Sequence, residues 1–140
     1  MHSHDNSIHR KDVLPMLANH PMSPTLPATN LERAKRFYAE KLGLTAESET
    51  PDAVTYRCGA ATSFILFPSE GIASGTHTQA AWVVDDLEAE VASLKARGVV
   101  FEEYDLPELR TVNSIATTGP VKAAWLKDSE DNLLNLVQFI

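Results

Sequence analysis

One structural plan occurs twice along this chain, and that duplication limits what it can fold into more than any other feature. Thr29-Asn30-Leu31-Glu32 fits a helix start, the Thr29 hydroxyl and Glu32 forming a capping box. Leu31, Ala34, Phe37, Tyr38 and Leu42 then recur at helical spacing, and Gly43 supplies a left-handed stop. Asp85-Asp86-Leu87-Glu88 opens the second copy with an acidic cap and a Glu three positions on. Leu87, Val91 and Leu94 follow at helical spacing, and Gly98 closes the segment. Each helix has a strand before it, at 23–28 and 79–84. Three strands follow each helix: 44–49, 53–58 and 62–67 in the first copy, 99–104, 121–127 and 133–140 in the second. The repeat unit is therefore strand–helix–strand–strand–strand, over about 22–68 and 78–140. Neither unit can bury a sheet face alone. The expectation is an α+β domain over 22–140: two βαβββ modules whose sheets curve around a shared concavity, with helices on the outer faces.

Composition narrows the function classes. The 140 residues are 44% hydrophobic and 22% charged, values that exclude disorder throughout. No stretch approaches the roughly 18 uncharged apolar residues of a membrane span, and the first 30 residues lack the pattern of a secretory signal. Nineteen Asp and Glu against 12 Lys and Arg give a net charge of −7, with no basic cluster beyond Arg33, Lys35 and Arg36, which argues against nucleic acid. The single cysteine, Cys58, cannot close a disulfide within the chain, so a reducing, cytoplasmic setting is expected. Residues 1–21 read as a flexible tail carrying His2, His4, His9 and His20. His2-Ser3-His4 could hold a divalent cation loosely or simply stay solvated, and Val13, Leu14, Met16 and Leu17 could dock on the domain or a partner.

Three motifs carry a family resemblance: Asn30 through Tyr38 ending in Lys41-Leu42-Gly43-Leu44, then Val83-Val84-Asp85-Asp86-Leu87, then Asp128-Ser129-Glu130-Asp131-Asn132-Leu133-Leu134-Asn135-Leu136. In this order they resemble the vicinal oxygen chelate superfamily, which includes glyoxalase I, bleomycin-resistance proteins and extradiol dioxygenases. The resemblance implies a half-open eight-stranded barrel of two βαβββ modules and, commonly, a homodimer. In the superfamily's enzymes four strand positions ligate a divalent metal through His, Gln or Glu. Carried onto this sequence, those positions fall on Ser23, on Phe64 or Leu66, on Gln79 and on Asn135. This set has no imidazole and no negative charge, so no metal or other cofactor is expected. His77 shares strand parity with Gln79 and His20 lies three residues before Ser23, but one imidazole does not hold a catalytic metal. In the final turn, Ser129 and Asp131 stand where the family has proline and glycine, and Asp tolerates positive φ.

Strand alternation then predicts the cup lining. With Gln79 facing in, Ala81 and Val83 face in as well, whereas Ala80, Trp82 and Val84 face the helices. Leu133, Asn135 and Val137 share the cavity face, with Leu134 and Leu136 behind. Tyr56 and Cys58 are expected to line the same cup, and Trp125 either lines it or packs. The segment 104–120, with Tyr104, Asp105, Glu108, Arg110 and Asn113, is either a lid or a surface excursion. The expected ligand-binding set is Ser23, Tyr56, Cys58, Leu66, Gln79, Ala81, Tyr104, Trp125 and Asn135, around a small molecule. Cys58 lacks an identifiable His–carboxylate partner and is not read as a nucleophile. The leading expectation is a metal-free binding protein acting by sequestration, resistance or sensing. Two others are a metal-dependent lyase, isomerase or dioxygenase, and a metal-independent enzyme using Tyr56, Tyr104 or Asp105 as acid or base.

Overall fold

The computed structural model describes residues 15–140; the expectations for His2, His4, His9, Val13 and Leu14 lie outside the described residues. A 3-10 turn at Leu17–Asn19 precedes the first module, with no buried residue. That module comprises β1 (Thr25–Ala28), α1 (Leu31–Glu40), β2 (Ala46–Thr50), β3 (Ala53–Cys58) and β4 (Thr62–Pro68), its sheet ordered β1-β4-β3-β2. The second comprises β5 (Thr78–Val83), α2 (Leu87–Ala96), a hairpin of β6 (Asp105–Leu106) and β7 (Leu109–Arg110), then β8 (Ala116–Thr118), β9 (Val121–Lys127) and β10 (Leu133–Phe139). Its sheet is ordered β5-β10-β9-β8. In each sheet the strand before the helix pairs in parallel with the last strand, while the remaining pairings are antiparallel. This is the expected pair of βαβββ modules, two four-stranded sheets that do not close on each other.

Three local expectations are corrected. The N-cap of α1 is Asn30, whose Oδ1 accepts from Arg33 N at 3.0 Å, and that of α2 is Asp86, accepting from Ala89 N at 3.1 Å. The caps therefore sit one residue later than Thr29 and Asp85, on strong capping residues in extended conformation. The expected strand at 99–104 reduces to a bridge between Phe101 and Leu126. The third sheet strand of the second module is instead β8, inside the segment expected to lack regular structure. β8 is too short to display a period, and Gly119 (φ +58) turns the chain directly into β9.

Both sheets turn one face toward the helices, and those faces share one core. Leu26, Val54, Tyr56, Phe64 and Leu66 of the first sheet join Ala124, Leu126, Leu134 and Leu136 of the second, with Ala34, Tyr38, Leu87 and Val91 from the helices. Aromatic rings run across the joint. Tyr56 stacks on Phe64 at 5.0 Å, Tyr38 lies 5.5 Å from each, and Phe64 meets Trp82 of the second module edge-on at 6.1 Å.

A polar clasp locks the modules beside this core. The turn between β9 and β10 docks on α1, Asp128 accepting from the buried Tyr38 hydroxyl at 2.7 Å and from Glu130 N and Asn132 N. Glu130, its side chain 1% exposed, accepts from Arg33 Nε at 2.7 Å and Nη2 at 2.9 Å, Ser129 Oγ at 2.8 Å, Asn30 N at 3.1 Å and Thr29 Oγ1 at 3.2 Å. Asp131 adopts φ +67, so this turn does use the left-handed conformation with Asp in place of glycine.

Candidate functional site

The second sheet has a face turned away from the shared core. The pairings align Ala81 of β5, Asn135 of β10 and Trp125 of β9 in one row across it. Beyond β9, Phe101 bridges Leu126 on the core side, and Glu102 N donates to Trp125 O at 2.8 Å. Glu102 therefore sits opposite Trp125 next to that bridge, and Tyr104 reaches the same indole through its ring. The Tyr104 and Trp125 rings meet edge-to-face, centroids 5.5 Å apart at 88°. Trp125 Nε1 donates to Thr78 Oγ1 of β5 at 3.2 Å, so the indole reaches across β10. Leu133 and Asn135 on that strand are accordingly only 5% and 6% exposed.

Polar chemistry on this face is sparse. Asn135 donates through Nδ2 to Ala124 O at 3.4 Å, and its Oδ1 accepts no hydrogen bond from the described residues. Burial and the nearby Glu102 carboxylate push the Tyr104 phenol above its ordinary pKa, so it stays protonated at neutral pH. Glu103 points elsewhere. It accepts from Thr111 Oγ1, Ser114 N and Ser114 Oγ, and these bonds hold its carboxyl below the usual range. They pin the turn at Asn113 and Ser114, both at positive φ, so the 104–120 segment is a built substructure.

The remaining expected site residues separate. Tyr56 and Leu66 are buried in the core, 2% and 0% exposed, and do not line the cup. The physical reason is parity. Val54 and Tyr56 pair in register with Leu66 and Phe64, and all four face the helices, leaving Thr55, Arg57, Ser63, Ile65 and Phe67 on the opposite face. Alternation defines two faces of a strand but does not say which is inward. Cys58 shares the core side, receiving the Trp82 indole N–H at 3.5 Å, and borders a cleft of about 200 Å³ with Met22, Pro24, Ala80 and Ala81. Ser23 is exposed, its Oγ 3.1 Å from that of Ser63 on the first sheet. Gln79 falls at the register shift between β5 and β10, as the extra residue of a bulge. Trp82 packs against the core as expected. Glu102 and Arg57, the latter ion-paired with Glu47 at 2.7 Å, were absent from the expected set. Glu102 was legible only through its spacing of two from Tyr104.

A second apolar cleft, also about 200 Å³, lies between the modules on the helix side, lined by Leu42, Leu44, Trp82, Leu94 and Leu136 with Glu90. Among the described residues no three His, Cys, Asp or Glu side chains group in a way that could hold a metal ion. None of the described helices is long and apolar enough to cross a membrane.

Residues 18–104 match the model of the Glyoxalase/Bleomycin resistance protein/Dioxygenase superfamily, and the chain belongs to that family. Solved structures with the same fold include TnmS3, an antibiotic binding protein from Streptomyces sp. CB03234. It is 24% identical, with 86% of this chain and 96% of that one aligned and a TM-score of 0.62. A glyoxalase/bleomycin resistance protein/dioxygenase from Alicyclobacillus acidocaldarius is 20% identical over 87% and 92% of the two chains, TM-score 0.65. A lactoylglutathione lyase from Agrobacterium tumefaciens is 21% identical over 89% and 96%, TM-score 0.58. Among curated protein sequences none matches the chain.

Proposed function

We propose that this protein binds a small, largely apolar molecule on the face of its second sheet turned away from the helices and acts by holding it, in sequestration, resistance or sensing. The observation that carries this reading is the row Ala81–Asn135–Trp125–Tyr104, an aromatic-walled surface with one neutral buried amide. Such surfaces gain affinity from apolar area and take orientation from a few polar atoms. An antibiotic binding protein among the structural neighbours supports the same class of role.

The donor set does not fit a divalent cation. Ser23, Gln79 and Asn135 are neutral, and on β4 the expected Phe64 and Leu66 are buried in the core, leaving only Ser63 or Ile65 on the side away from it. Two amides and two hydroxyls at best would not offset dehydration of such an ion. We therefore read the site as metal-free. With Ala81 and Val83 exposed on an open sheet face, a second copy of the chain would close the cup, which favours a homodimer. The free Cys58 thiol fits a cytoplasmic setting.

Isothermal titration against a panel of hydrophobic natural products and antibiotics tests the reading. Saturable binding lost in Trp125→Ala and retained in Leu94→Ala supports it and separates this surface from the helix-side cleft. Silence across the panel would overturn it. The competing reading, a metal-dependent lyase or dioxygenase, predicts stoichiometric Ni, Zn, Mn or Fe in purified protein.

A further inference from the structure

The surface just described is not chemically neutral at its rim. Glu102 is half-buried beside Trp125 and, among the described residues, makes no ion pair and no side-chain hydrogen bond. The neighbouring acids differ. Glu103 is consumed by Thr111 and Ser114, and Asp105 pairs with Arg110 at 3.0 Å. An unpaired carboxylate at the edge of an aromatic face attracts positive charge to that face.

Two further observations point to the same ligand. Asn135 is 94% buried, yet its Oδ1 takes no donor from the described residues and stays reachable from the face where the adjacent Ala81 is exposed and occupies little space. The indole N–H of Trp125 is already taken by Thr78, so toward a ligand that ring offers only its π surface, whose quadrupole favours positive charge.

We propose that the ligand class is a planar aromatic molecule bearing a protonated amine. Its ring lies against Trp125 and Tyr104, its ammonium meets Glu102, and a second N–H or O–H donates to Asn135 Oδ1. This rests on the binding reading above and specifies what that site selects.

The test compares proflavine, a planar cation, with anthraquinone-2-sulfonate, a planar anion of similar size, by calorimetry and tryptophan quenching. Proflavine should bind saturably at one site per chain, and the sulfonate at least about tenfold more weakly. Glu102→Gln should weaken proflavine by about tenfold. Glu108→Gln, the same charge change on the exposed turn between β6 and β7, should leave it within about twofold, since a solvated rim charge contributes little. Equal binding of cation and anion, or equal effects of the two glutamate variants, would overturn the cationic class while leaving a small-molecule site in place. Failure of both dyes would overturn the class too. Failure of the wider antibiotic panel would separately remove the reading beneath it.

Discussion

Glu130 shows how one side chain fixes the relation between two modules. Its carboxylate is buried and takes five donors, four of them from the start of α1 and the guanidinium behind it. The Arg33 hydrogen bond is the leading cause of a pKa held down at about 2, against an ordinary 4.5, despite the opposing effect of burial. A folded value below the unfolded one means the unfolded chain binds the proton more readily. The stabilisation is therefore complete above pH 4.5 and is lost as pH falls toward 2. Glu130→Gln should cost about 2 kcal/mol near neutrality and flatten that acid limb, as read by urea unfolding at several pH values. An unchanged pH profile would contradict the assignment. At Asp131, φ +67 predicts that Asp131→Ala loses about 1 kcal/mol while Asp131→Gly does not, checked by the same unfolding curves.

At the scale of elements, periodicity and caps made both helices legible, and turn signals marked seven of the eight sheet strands. The cap residue was misplaced by one because Thr-Asn and Asp-Asp each offer two competent caps in succession. The hydroxyl of Thr29 goes to Glu130, a partner 101 residues away that no local pattern reveals. Asn30→Ala and Asp86→Ala should each cost about 1 kcal/mol by thermal or urea unfolding, and Asp85→Ala far less. Equal losses at 85 and 86 would contradict the observed caps. β8 escaped notice for a different reason: three residues, Ala-Thr-Thr, carry no period, and their strand character comes from pairing with β9.

For the whole molecule, the duplication implied two modules, and the site was legible only in part. Ala81 and Asn135 share a face as the alternation assumed for β5 and β10 requires, while Trp125 joins it through its pairing with Asn135 and Tyr104 through its ring contact with Trp125. Tyr56 and Leu66 do not join it, because nothing local in β3 and β4 distinguishes the face toward the helices from the face toward the cup. Burial in the common core decides it, and that core forms only when both modules meet. The same logic makes the cup a property of the assembled modules, and of a second copy if one closes it. Sedimentation should then show a dimer, which an Arg or Glu placed at the exposed Val83 would dissociate. A monomer at all concentrations would contradict closure by a second chain.

Chelation addresses the main proposition most directly. The best ligand from the antibiotic panel is titrated calorimetrically before and after exhaustive treatment with EDTA. Unchanged affinity and one-site stoichiometry are predicted, since protein side chains, with no bound metal among them, do the holding. Binding abolished by the chelator and restored by a divalent cation would contradict it.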